Sequence, residues 1–177
     1  MPTDANAHPD AASVFYQIAE YSQRLQATTA LVRLVDGLGF RFLWATAGLD
    51  AQDAEFRPAA DVKSIGELTD HILRMMARVA RVVGPLPEEA DSVAGFATTR
   101  AAVLDVLATL RRRLLELDDA ALAEARVRDR PVWHAINGQL ADALTHVGQI
   151  VSFRRIAGKP QQAGVNVFLG IPPQPDA

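Results

Sequence analysis

Asp142 and His146 stand four residues apart in a segment, Pro131 to Phe153, whose only Asp, Glu, Lys or Arg is Asp142. On an α-helix that spacing is about 6 Å of rise and about 40° of rotation, so the two side chains stack on one face and can converge on one ion. His71 lies in a separate helical stretch, on the flank of an apolar face and one turn from both Leu68 and Met75. Turned toward the charge-poor segment, it completes a set of two imidazoles and a carboxylate. Such a set suits Zn, Mn, Fe or Ni and leaves positions open for water. The other two histidines stay apart. His134 is twelve residues from His146, about 18 Å along a helix axis, and reads as a helix-start residue, while His8 falls in the lead before the first helical pattern. Gln139 and Gln149 are near enough in sequence to support the ligands by hydrogen bonds.

The same residues admit a plainer reading. An Asp–His pair at this spacing is a common helix-surface contact worth about 0.2–0.5 kcal/mol, and a histidine beside an apolar face is often a hydrogen-bonded boundary residue. Two features weigh toward an ion. No Lys or Arg occurs in the segment until Arg154, so nothing local neutralises Asp142. The side opposite Ile136, Leu140, Val147 and Ile150 is built from Ala, Gly, Ser, Thr, Asn, Gln and His, without the charge a water-facing side normally carries. Much of this helix is therefore expected to be buried, against other helices or a second subunit. Asp142 is then a poorly hydrated carboxylate in need of a partner.

Four amphipathic helices position these residues. The first, about Gln23 to Gly48, carries Leu31, Leu34, Val35, Leu38, Phe42 and Ala45 at three- and four-residue steps. The second opens at Ser64, with Glu67 as the partner of a capping box, and runs through Ile65, Leu68, Ile72, Met75, Val79 and Val82 to Gly84-Pro85. A third, from about Thr98 to Leu117, carries Val103, Leu107, Leu110 and Leu114 before Asp118-Asp119. Leu122 to Arg130 lacks a helical face and reads as extended. The fourth spans Val132 to Ala157, with Gly158 as its stop and Pro160 beyond. From Gln161 a Gln-, Gly- and Pro-rich tail surrounds one apolar patch, Val165 to Leu169, expected to strap onto the body or a partner. These elements predict an all-α four-helix bundle over residues 13–160, after a disordered lead of residues 1–12 and before an extended tail of residues 161–177.

A length of 177 residues supports one domain, and an apolar share of 49% is enough for a core without staples. No cysteine is present, which excludes disulfides, thiolate nucleophiles and Cys-based metal sites and suits a cytoplasmic setting. A net charge of −3 gives no global footprint for nucleic acid. No signal peptide is read in Met1 to Ala12, and no apolar run reaches membrane-spanning length. Walker, Rossmann, HExxH and GxSxG patterns are all missing. Arg111, Arg112 and Arg113 fan around a helix at about 100° per residue and read as solvated surface, and Trp44 and Trp133 read as core or helix-end packing.

Three pieces of the chain, GLDAQDAEFRP, SIGELTDHI with His71, and LTHVGQIVSFRRIAGKP with His146, resemble in order and spacing the DinB/YfiT-like superfamily of metal-dependent enzymes. The resemblance implies a bundle in which a histidine of the second helix and an HxxxH pair of the fourth hold a divalent metal, often nickel or zinc. Carried over, His71 and His146 match, and Asp142 stands where the first histidine of HxxxH would be. Members include isomerases and transferases that use low-molecular-weight thiols; DNA polymerase activity is not implied. The expectation is a metal-binding protein, and a metal-dependent hydrolase or thiol transferase or isomerase if catalytic, acting on a small molecule as a homodimer. The alternative is a non-catalytic dimerising or ligand-binding bundle with a degenerate site.

Overall fold

The structure is a computed structural model that describes residues 10–174. His8 and most of the lead, residues 1–9, lie outside the described residues, as do residues 175–177 of the tail. From Asp10 the chain enters a short helix, α1 (Ala11–Val14), which leads into the buried Phe15. The Phe15 ring lies directly over Gly39, where any Cβ would collide with it.

The described chain is mostly helical, with one two-stranded hairpin. Helix α2 (Ala27–Thr46) is followed by α3 (Ala51–Ala54), α4 (Ile65–Ala80), α5 (Phe96–Glu116) and α6 (Asp119–Glu124). The hairpin of β1 (Arg126–Val127) and β2 (Arg130–Pro131) comes next, then a π-helical stretch, Ala135–Leu140, and α7 (Ala141–Ile156). Helix α5 packs against α2 and α4, and α7 packs against the same two helices. The four long helices thereby enclose a core that includes Val35, Leu38, Phe42, Ile72, Met76, Leu104, Leu107, Val147 and Ile150.

Local chemistry explains where these helices begin and end. The capping box of α4 forms as its sequence predicts: Ser64 Oγ accepts from the Glu67 amide at 3.2 Å, and Glu67 Oε2 accepts from the Ser64 amide at 2.7 Å. The start of α2 is secured from elsewhere. The Asp119 carboxylate accepts from the Ala27 amide at 3.1 Å and from the Thr28 amide and hydroxyl, both at 3.0 Å, across a sequence separation of 91 residues for the Thr28 contacts. These bonds satisfy free amides at a helix N-terminus and hold the Asp119 carboxyl below the ordinary range. The end of α2 is closed by Arg154 of α7, whose Nη1 donates to Trp44 O at 3.3 Å and Ala45 O at 2.8 Å. Its Nε and Nη2 donate to Lys159 O at 2.7 Å and Pro160 O at 3.4 Å. Arg154 is only 5% exposed, and a buried guanidinium at a helix C-terminus is well placed against the helix dipole. Lys159 adds an ion pair to Asp53 at 2.6 Å.

Several expectations need correction. The polar stretch from Leu122 begins in a helix, α6, capped by Asp118, and only then becomes extended in the hairpin. Trp44 is buried and donates to Tyr16 O at 3.3 Å, but Trp133 is 72% exposed at the start of the last helix. The tail does touch the body, through Ile18 N donating to Gly170 O at 2.9 Å and through buried Pro172 and Pro173. Its apolar patch is split: Val165 and Val167 are half-buried, with Val167 lining a hollow beside Leu34, Leu144 and Val147, whereas Phe168 is 89% exposed. No helix among the described residues is long and apolar enough to cross a membrane.

Candidate metal centre

Helix α4 presents His71 and α7 presents Asp142 and His146, so the packing of α7 on α4 assembles the site. One ligand atom from each of the three residues can be chosen so that all lie within 4.8 Å of one another. Asp142 Oδ2 is 3.4 Å from His146 Nε2 and 3.6 Å from His71 Nε2. Both separations exceed the roughly 2.7–2.9 Å of a charge-assisted hydrogen bond. They match the edge of a tetrahedral site, since two ligands each about 2.1 Å from one ion lie about 3.4 Å apart. The two imidazole rings meet edge to face, with centroids 5.0 Å apart.

The hydrogen bonds around the site favour ligation. His146 Nδ1 lies 2.7 Å from Gln149 Oε1; because an amide oxygen only accepts, this nitrogen carries the proton and donates. Nε2, the other ring nitrogen, is the one that faces Asp142, and a supporting group on the far nitrogen is the arrangement that orients a ligating histidine. The His71 imidazole is held below its ordinary pKa, first by partial burial and then by the positive charges of His146, Lys63 and Arg74, with Asp142 opposing. The shift favours the neutral form of the ring, the form that can ligate. Two imidazoles and a carboxylate thus converge from two helices, a donor set of the kind that can hold a divalent cation.

Burial at the site departs from the expectation. The Asp142 side chain is 49% exposed, and the buried residues of α7 are Ala143, Val147, Ile150 and Arg154. In the single chain, the face of small and polar residues points to solvent, with Ala141, Thr145, Gly148, Gln149 and Ser152 all exposed. Lack of charge on this face is therefore not a sign of burial within the chain. No Lys or Arg pairs with Asp142 among the described residues; the groups that face it are the two imidazoles. His134 takes the helix-start position expected of it, flanking the π-helix.

The π-helical stretch is a feature that the sequence pattern does not reveal. A π turn inserts a residue into the ladder and shifts the register of the helix beyond it, and such turns recur at functional sites. This one directly precedes Asp142, and it contains Gln139, whose Oε1 is the one buried side-chain polar atom among the described residues with no hydrogen-bond partner. The apolar period continues through Ile136 and Leu140 and gives no sign of it. Comparison of the chain with protein-family models, with curated proteins and with solved structures finds no match.

Proposed function

We propose that the chain is a DinB/YfiT-like four-helix bundle that holds one divalent metal, nickel or zinc foremost and manganese or iron next, through His71, Asp142 and His146. The observation that carries this reading is the donor set: two imidazoles and a carboxylate brought within 4.8 Å from two helices. When bound, the ion supplies positive charge that brings the pKa of a coordinated water or thiol toward neutrality. The Nδ1 contact to Gln149 orients the His146 ring with Nε2 toward Asp142, and Asp142 is half in water. This arrangement supports a metal-dependent hydrolase, or a transferase or isomerase of low-molecular-weight thiols. With no cysteine in the chain, the thiol would come with the substrate. Elemental analysis of protein purified without affinity metal, beside its His146→Ala variant, is the test; equal metal content in the two overturns the reading.

A second reading is a non-catalytic dimerising bundle, favoured by the exposed, charge-free face of α7. There the face of Ala141, Thr145, Gly148 and Ser152 packs against a second copy, and the Asp142 cluster is a hydrogen-bonded remnant. A thermal melt separates the two. A midpoint unmoved by EDTA or by added Zn, Ni or Mn favours this reading.

A further inference from the structure

Helix α4 carries Arg74 and Arg78 beyond His71, three and seven residues on. At about 1.5 Å and 100° per residue, Arg78 falls within about 20° of the His71 direction, two turns along. The hairpin folds over this end of α4 and brings Arg126 and Arg128 to it, and Arg81 closes the ring. These five arginines, with Val82, Val127 and Asp91, line one cavity of about 320 Å³.

The charges in this cavity do not balance. Asp91 is its only carboxylate, and it is taken up by Arg81 through two 2.9 Å bonds. Arg81 also donates to Pro87 O and Glu88 O. Arg126 spends one amino group on Ala123 O and Ala125 O, and its contact to Glu124 is long, at 3.8 Å. Arg74, Arg78 and Arg128 make no side-chain hydrogen bond or ion pair among the described residues. A chain with three more acidic than basic residues thus gathers water-exposed guanidinium groups without carboxylate partners around one hollow, a local positive patch. Arg128 sits at φ 55°, the one residue other than glycine with positive φ in the described chain. The left-handed region is disfavoured for a residue with a Cβ; held there, Arg128 turns the hairpin at the rim of the cavity.

We infer that this cavity binds the phosphate or carboxylate group of a small organic anion, with Arg74, Arg78 and Arg128 as its principal donors. Guanidinium groups match both oxyanions with paired N–H donors, and the volume, at the low end of small-molecule sites, suits a small anion. Arg74 is one helical turn from His71, so an anion anchored here extends naturally toward the three-ligand cluster. That extension, which makes the anion part of the substrate, rests on the metal-centre reading; the anion site itself does not.

The test is calorimetric titration of the full-length, EDTA-treated and dialysed protein at low ionic strength with inorganic phosphate and, separately, with succinate. Arg74→Gln and Arg78→Gln are each expected to weaken binding about tenfold, the loss of one charge-assisted bond. Arg128→Gly keeps the result interpretable if the helix variants fold poorly, because glycine relaxes the positive φ; it should weaken binding to a similar degree without lowering the melting midpoint. Arg112→Gln, on α5, should leave binding unchanged. Stronger binding of phosphate assigns the site to phosphate esters and stronger binding of succinate to carboxylates. No binding of either anion, or equal weakening by Arg112→Gln, overturns the proposal. Metal uptake measured on the same preparations separates the two ideas: anion binding without metal uptake removes only the metal centre, and metal uptake without anion binding removes only this site.

Discussion

The two ends of the last helix solve opposite problems. At its C-terminal end every donor of interest is used: Arg154 satisfies four backbone carbonyls, two of them at the end of α2, and Lys159 pairs with Asp53. At its N-terminal end the helix opens with a π turn beside an exposed Trp133, a buried amide oxygen with no partner among the described residues, and a cavity ringed by arginines that outnumber its carboxylates. Buried polar groups are almost always satisfied in folded proteins, so the saturated end reads as the anchor of the fold and the unsaturated end as the place for the ligands proposed above. Asp142 and His146 sit next to the open end, while the GKP ending of the resemblance sits wholly within the anchor.

The comparison makes its strongest demand at the anchor. Arg154→Ala strands the carbonyls of Trp44 and Ala45 and leaves a hole beneath them; a loss of about 3 kcal/mol is expected, read as a lower urea midpoint at unchanged slope. A loss below about 1 kcal/mol would show that the anchor is not one. Next comes the open end with its ion. Zinc or nickel at about a hundredfold over its dissociation constant contributes about 2.7 kcal/mol, which in a chain of this size raises the melting midpoint by about 5–10 °C. The rise should vanish in His71→Ala and His146→Ala but persist in His134→Ala.

Gln139→Leu should behave unlike any substitution at the anchor. Removing an unpartnered buried oxygen is expected to be neutral or to stabilise by about 1 kcal/mol, and a marked destabilisation in chemical unfolding would mean that the amide is satisfied after all. The smallest effect concerns pH. Lys159, with its hydrogen bond, is the main influence holding the Asp53 carboxyl below its ordinary value, and Asp53 in turn raises Lys159. Stability from Asp53 is therefore fully present above its unfolded pKa and lost as pH falls through the lower folded value; that from Lys159 is present below its unfolded pKa and lost as pH rises through the higher folded one. Asp53→Asn should flatten the acid-side slope of stability against pH, a change visible in melting midpoints collected from pH 6 downward. An unchanged slope would remove this pair from the anchor.

Legibility in the residues alone falls off with the range of the interaction. The α4 capping box involves residues three apart and is legible in full, as is the stacking of Asp142 and His146. The flank position of His71 is enough to bring it to them. Longer-range features are not legible. Nothing near Ala27 announces that Asp119 will cap it, and nothing in LAEARVRDR shows that its arginines will meet Arg74 and Arg78 across a hairpin. The exposure of Asp142 runs against the sequence pattern for a physical reason: a helix face without charge suggests burial, yet small polar residues are equally able to face water. The π turn escapes notice because the apolar period passes through it nearly undisturbed.

The distant caps on α2 have a consequence in time. Its N-terminal amides wait for Asp119 and its C-terminal carbonyls for Arg154, 91 residues beyond Thr28 and 109 beyond Ala45. At about 5–20 residues per second of synthesis, Thr28 precedes Asp119 from the ribosome by about 5–18 s. The N-terminal end gains Asp119 before α7 exists, but until α7 itself has been made the C-terminal end of α2 stays open, so the oldest long element of the chain is closed only by the youngest.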